Sequence, residues 1–149
     1  MTKTETLAVI RDSARNAALY LQTCAGNMTG TELYAEEEYI PSFAAMSASG
    51  NMLDRPEGFV CRSSAGRVVW LIQPYNSGIY PGEPETLPAQ WGFKWSTDPA
   101  KALPFISLST SPYMTGDCCT DGGKTYRSKM DNNVYSPADY PAGWEEVTS

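Results

Sequence analysis

Two octapeptides constrain this chain more than any other feature. "PETLPAQW" ends at Trp91 and "PADYPAGW" ends at Trp144, and both read Pro-x-x-x-Pro-Ala-x-Trp. The likeness extends upstream: aligning Gly58 with Gly116 sets Cys61 on Cys119. With one small insertion in the first copy, Asn76 falls on Asn133, Tyr80 on Tyr135, Pro84 on Pro137 and Pro88 on Pro141. Self-similarity at a spacing of about 55 residues is the signature of a duplicated structural unit. Each copy is too short for a large core, so a Trp packed beneath a proline-stiffened tail, across a small sheet, is the simplest way to hold it. Trp91 and Trp144 therefore read first as core pins and second as ligand platforms.

The local texture supplies the sheets. In "GFVCRSSAGRVVWLIQ" the β-prone runs 59–62 and 68–73 flank a polar turn at 63–66, a hairpin pattern, and "GDCCTDGGKTYRSKM" from Gly116 repeats the plan. Between the copies, "GFKWSTDPAKALPF" has the Pro and polar content of a short connector. Ahead of them, Leu7, Ile10, Ala14, Ala17, Ala18 and Leu21 recur at three- and four-residue steps, which predicts a helix over 5–24 with one apolar stripe. Thr2 and Glu5 have capping-box spacing, and Gly26 and Asn27 supply a stop. A shorter helix is expected over 32–39, broken by Pro41, with the acids at 36–38 as a solvated face. The expected fold is α+β: a helical segment over 1–49, a first antiparallel β module over 50–98 and a second over 104–149.

Composition excludes several functions. The net charge of -6, without a run of Lys or Arg, repels nucleic-acid phosphates. No apolar stretch approaches the roughly 20 residues that span a bilayer, and Arg11 and Asp12 interrupt the place where a signal peptide needs its apolar run, so cytoplasmic synthesis without membrane insertion is expected. The chain has no histidine, which removes Ser-His and Cys-His nucleophile pairs and His ligands for zinc. Cys24, Cys61, Cys118 and Cys119 lack CxxC spacing and read as buried free thiols, so neither metal nor cofactor is expected. Asp117, Asp121, Asp131, Asp139, Glu145 and Glu146 offer carboxylates, but nothing selects a pair across a cleft as polysaccharide hydrolysis requires. A non-catalytic role is expected.

Residues 113–147, "YMTGDCCTDGGKTYRSKMDNNVYSPADYPAGWEEV", resemble the chitin-binding-type carbohydrate-binding modules of classes five and twelve. Tyr113, Gly116, Asp117, Cys119, Gly123, Lys124, Tyr126, Pro137 and Trp144 take the places of that pattern: aromatic, Gly-Asp, apolar, Gly-Lys, aromatic, Pro and a closing Trp. The version ending "DNNVYSPADYPAGWEEV" looks like the module at the C-terminus of bacteriophage and prophage tail-associated proteins. The first copy, with Phe59 and Val69 where Asp117 and Tyr126 stand, reads as a degenerate module. The resemblance implies a virion protein whose aromatics bind host-surface polysaccharide, made in the bacterial cytoplasm and assembled with other virion proteins.

Sugar rings present flat C–H faces that stack on aromatics, while amide and carboxylate side chains satisfy their hydroxyls. Tyr135 is the leading platform, because it follows the polar turn "DNN" and precedes "SP" at the sheet edge. Asn133 and Tyr140 lie beside it, and Trp144 and Tyr80 complete the expected glycan set. The same residues admit a plainer reading, in which "DNN" is turn chemistry and the tyrosines cover the core. The helical stripe points to a homo-oligomer, a trimer favoured, or to attachment to another virion protein through residues 1–24; the alternative folds the helix onto its own modules. Two functions remain open: glycan recognition by the virion, or a purely structural part of it.

Overall fold

The computed structural model describes residues 2–148, and for Ile10 only the backbone, so that member of the expected stripe lies outside the described side chains. The first element is α1, Lys3–Cys24. Thr2 caps it reciprocally: Glu5 N–H donates to Thr2 Oγ1 at 3.0 Å, and Thr2 N–H donates to the Glu5 carboxylate at 2.9 Å. A 3-10 turn over Ala25–Asn27 closes the helix at the expected stop. The second helix differs from expectation. α2 spans Gly30–Ala35 and gives way to a separate 3-10 turn, Glu37–Tyr39, because Thr29 and Glu32 form another capping box that starts it early. Of the three acids, Glu36 and Glu38 are exposed as expected, whereas Glu37 is half-buried and accepts from Lys101 Nζ at 2.8 Å. A third helix, α3 over Phe43–Ala48, begins where Ser42 caps Ala45 N–H.

The fold is α+β, with two tandem sheets after the helices. The first is an antiparallel meander of β1 (Val60–Arg62), β2 (Val68–Leu71) and β3 (Trp91–Phe93). The second orders β4 (Leu103–Pro104), β5 (Cys118–Asp121), β6 (Lys124–Ser128) and β7 (Trp144–Val147), with β4 parallel to β5 and the others antiparallel. The duplication shows in the register. Cys61 faces Val69 as Cys119 faces Tyr126, and Leu71 faces Trp91 as Ser128 faces Trp144.

The structure amends the alignment of the copies in two places. The bridge between Arg55 and Tyr75 repeats as one between Tyr113 and Asn133, so Tyr75, not Asn76, is the counterpart of Asn133. The insertion therefore lies in the loop, residues 76–83 against 134–136. The likeness also reaches back beyond Gly50. Ser42 bridges Arg62 in parallel, as Pro104 pairs with Thr120, and Phe43 meets the Trp91 ring edge-on as Phe105 meets Trp144. The expected connector thus contributes a strand and a core aromatic.

One core joins the sheets. Trp95 stacks on Tyr113 at 4.3 Å between ring centres, Phe105 stacks on Tyr113 at 5.4 Å, and Trp91, Trp144, Cys61 and Cys119 belong to the same buried cluster. Trp95 Nε1 donates to Ser111 O, whose hydroxyl accepts from Phe93 N–H, so the chain between the copies is clamped. Arg67 adds a polar tie, bonding Glu85 at 3.2 Å and Pro104 O at 2.7 Å. A second cluster under the helices gathers Leu21, Leu33, Tyr34, Ile40, Val60 and Val68.

Only the C-terminal end of α1 joins this body. Leu21 is buried, and the Gln22 amide brackets the backbone of Val60, donating to its carbonyl at 2.7 Å and accepting from its N–H at 3.0 Å. Residues 2–9 and 11–16 are exposed, Leu7 at 50% and Val9 at 53%. The helix neither folds wholly onto the modules nor leaves them.

Candidate functional site

The loop that follows β6 turns at Asn132, which takes a left-handed φ of 55°, the conformation that Asn accepts more readily than bulkier residues. Asn133 then enters the core. It is fully buried, its amide donates to Ser128 Oγ at 3.1 Å and Gly143 O at 3.2 Å, and its carbonyl oxygen accepts from Tyr135 N–H at 3.2 Å. Trp144, 5% exposed, donates from Nε1 to Tyr135 O at 2.8 Å. Asn133 and Trp144 are therefore corrected from the expected glycan contacts to positioning residues. Their polar atoms are spent on the loop, and burial keeps them from any ligand.

Those two residues grip both polar atoms of the Tyr135 backbone, which leaves its ring to project. Tyr135 is 54% exposed and Tyr140 43%, and their rings meet edge to face at 5.7 Å and 69°. With Met130 and Asp139 they line an open groove of about 400 Å³. Buried Gly143 allows close packing behind Tyr140: a Cβ there would lie 2.9 Å from the Tyr140 ring and 3.2 Å from the Asn133 amide. Buried Pro137 and the turn bond from Tyr140 N–H to Ser136 O hold the far side. The groove thus combines two aromatic faces with a carboxylate and two phenol hydroxyls, the chemistry suited to an uncharged sugar. Met130 and Gly143 escaped the sequence reading, and Asp139 was read only as one of six unpaired carboxylates. The signal for Gly143 was its place directly before the closing Trp, where the first copy has Gln90.

Tyr80, the expected counterpart of Tyr135, does not join this groove. It sits on the first copy's longer loop, 36% exposed and stacked on Tyr75 at 6.2 Å. The two Trp residues also differ. Trp91 Nε1 is buried without an acceptor at bonding distance among the described residues, whereas Trp144 Nε1 donates to Tyr135 O.

The reactive groups are subdued. All four cysteines are free thiols; Cys61, Cys118 and Cys119 are buried and Cys24 is half-buried, which amends the expectation for that one. Burial pushes the Cys119 thiol up to about 12 and Cys61 higher still, so neither is a thiolate near neutrality. Burial likewise raises Asp117, against the lowering effect of its bond from Met114 N–H. Among the described residues no His, Cys, Asp and Glu cluster could hold a metal ion, and no helix is long and apolar enough to cross a membrane. No family model matches the chain, and no match to it was found among curated proteins.

Proposed function

We propose that this is a non-catalytic bacteriophage virion protein, of the tail, fibre or baseplate, whose second module binds host-surface polysaccharide through Tyr135 and Tyr140. One observation carries the binding part. Two exposed tyrosines are set edge to face around an open groove by a loop whose inward polar atoms are tied to core residues. Such a preorganised aromatic platform loses little freedom when a flat ring settles on it. The placement in a virion rests on the resemblance of residues 113–147 to tail-associated modules. A single shallow site of this kind binds weakly, and several copies on one particle convert weak contacts into retention. The exposed stripe of α1 supports the means of gathering those copies, as a homo-oligomer or on another virion protein.

The test is retention of the full chain on host cell-wall polysaccharide and on insoluble chitin. Tyr135→Ala and Tyr140→Ala are each expected to lose retention while the thermal midpoint stays within a degree or two of the parent, since both rings are largely outside the core. Retention equal to the parent in both variants overturns the reading. A second reading, a structural component without sugar binding, draws on the same exposed α1 face, which suits assembly alone. It takes over if the parent is retained on neither polymer.

A further inference from the structure

We infer that the first copy carries a second, differently built glycan groove, so that one chain holds two sugars. This rests on the reading of the second module as glycan-binding. Between residues 54–56 and 74–80 runs an open groove of about 500 Å³, lined by Asp54, Arg55, Pro56, Asn76, Ile79 and Tyr80 among others. Ile79 is 68% exposed, an apolar side chain that the core does not use.

The groove is held as firmly as the other. Tyr75 hydroxyl donates to Tyr80 O at 2.9 Å, Tyr80 N–H and Ile79 N–H both donate to Asn76 O at 3.0 Å, and Gly78 N–H donates to Asn76 Oδ1 at 2.8 Å. The Tyr80 ring lies nearly parallel to Tyr75, at 21°, so its position is set by a buried residue. The opposite rim is polar. Asp54 stands at a left-handed φ of 53°, with its carboxylate 3.4 Å from the Asn76 amide. Arg55 donates from Nε to Asn51 O, and its guanidinium lies 4.5 Å over the Phe59 ring.

Asp54 and Arg55 cancel in charge, so the rim offers donors and acceptors without selecting an ion. An uncharged pyranose, stacked against Tyr80 and Ile79 with its hydroxyl or acetamido groups toward Asp54, Asn76 and Arg55, fits that chemistry. The longer loop supplies much of the first groove: residues 76–83 bring Asn76, Ile79 and Tyr80 to its lining, where the shorter loop 134–136 of the second copy holds Tyr135 bonded to Trp144.

The experiment is a titration of the full chain with a soluble N-acetylglucosamine oligosaccharide, followed by calorimetry and amide NMR, with retention on insoluble chitin alongside. The parent is expected to bind two sugars per chain. Tyr135→Ala and Tyr80→Ala are each expected to leave one. Ile79→Ser, a change on the surface, keeps the comparison valid should Tyr80→Ala unfold. Retention on the polymer falls on the order of tenfold or more in each single variant, because two linked sites act together. A parent that binds one sugar, lost in Tyr135→Ala and unmoved in Ile79→Ser, overturns this inference and leaves the second-module reading standing. A parent that binds none overturns both.

Discussion

At the scale of single residues, the site is a division of labour between a ring that faces water and the groups that aim it. Asn133 makes two donated bonds and one accepted bond in a fully buried place. Asn133→Ala strands Tyr135 N–H, while Gly143 O keeps its bond from Lys129 N–H and Ser128 Oγ its bond to Met130 O; it is expected to destabilise the protein by about 1–3 kcal/mol. Tyr135→Ala, removing a half-exposed ring, is expected to cost under about 1 kcal/mol. Urea melts of the two variants check this, and equal losses would show that Tyr135 is itself a core residue. The residue types were legible in "DNNVY", but their directions were not. Alternation along a chain does not say which of two adjacent polar residues turns inward. Here Asn132 takes the left-handed turn and Asn133 the buried place because the bridge to Tyr113 fixes the backbone.

At the scale of elements, α1 is the unsettled piece. A helix shorter than about 12–15 residues is marginal alone in water, and residues 2–9 and 11–16 stand exposed in the described chain. Leu7 and Ala14 continue the face that Leu21 buries, and a seven-residue repeat of this kind is the pattern by which helices pair. The full chain is expected to sediment as a homo-oligomer, a trimer favoured. A chain beginning at Ala17, which retains Leu21 and Gln22, should be monomeric with its thermal midpoint nearly unchanged. Two monomers would overturn this. Periodicity predicted the helix and its caps, yet could not say how much of the stripe the body would cover. That depends on where the chain next turns back, and here it does so only beside the last turns.

At the scale of the whole molecule, the duplication does not produce two separate cores. Trp95 lies between Phe93 of the first copy and Tyr113 of the second, and Arg67 reaches from the first hairpin to Pro104. Trp95→Ala is expected to destabilise the chain by about 3–5 kcal/mol, with amide protection lost in both sheets and a single thermal transition. Two transitions, with protection lost in one sheet alone, would mean that the copies fold independently. The stack was hidden in the sequence because "FKW" resembles a connector, and nothing local records that its rings meet an aromatic many residues later.

The sequence by itself determined the duplicated hairpins, the closing Trp of each copy, the capped helix and the exclusion of histidine chemistry. These follow from residue type and spacing, which act over a few neighbours. Only the tertiary structure decided that the copies share one core, that Asn133 and Trp144 are buried and bonded to the Tyr135 backbone, and that each copy presents its own groove. Those outcomes depend on contacts between distant segments, where burial and hydrogen bonding are settled by the packed whole.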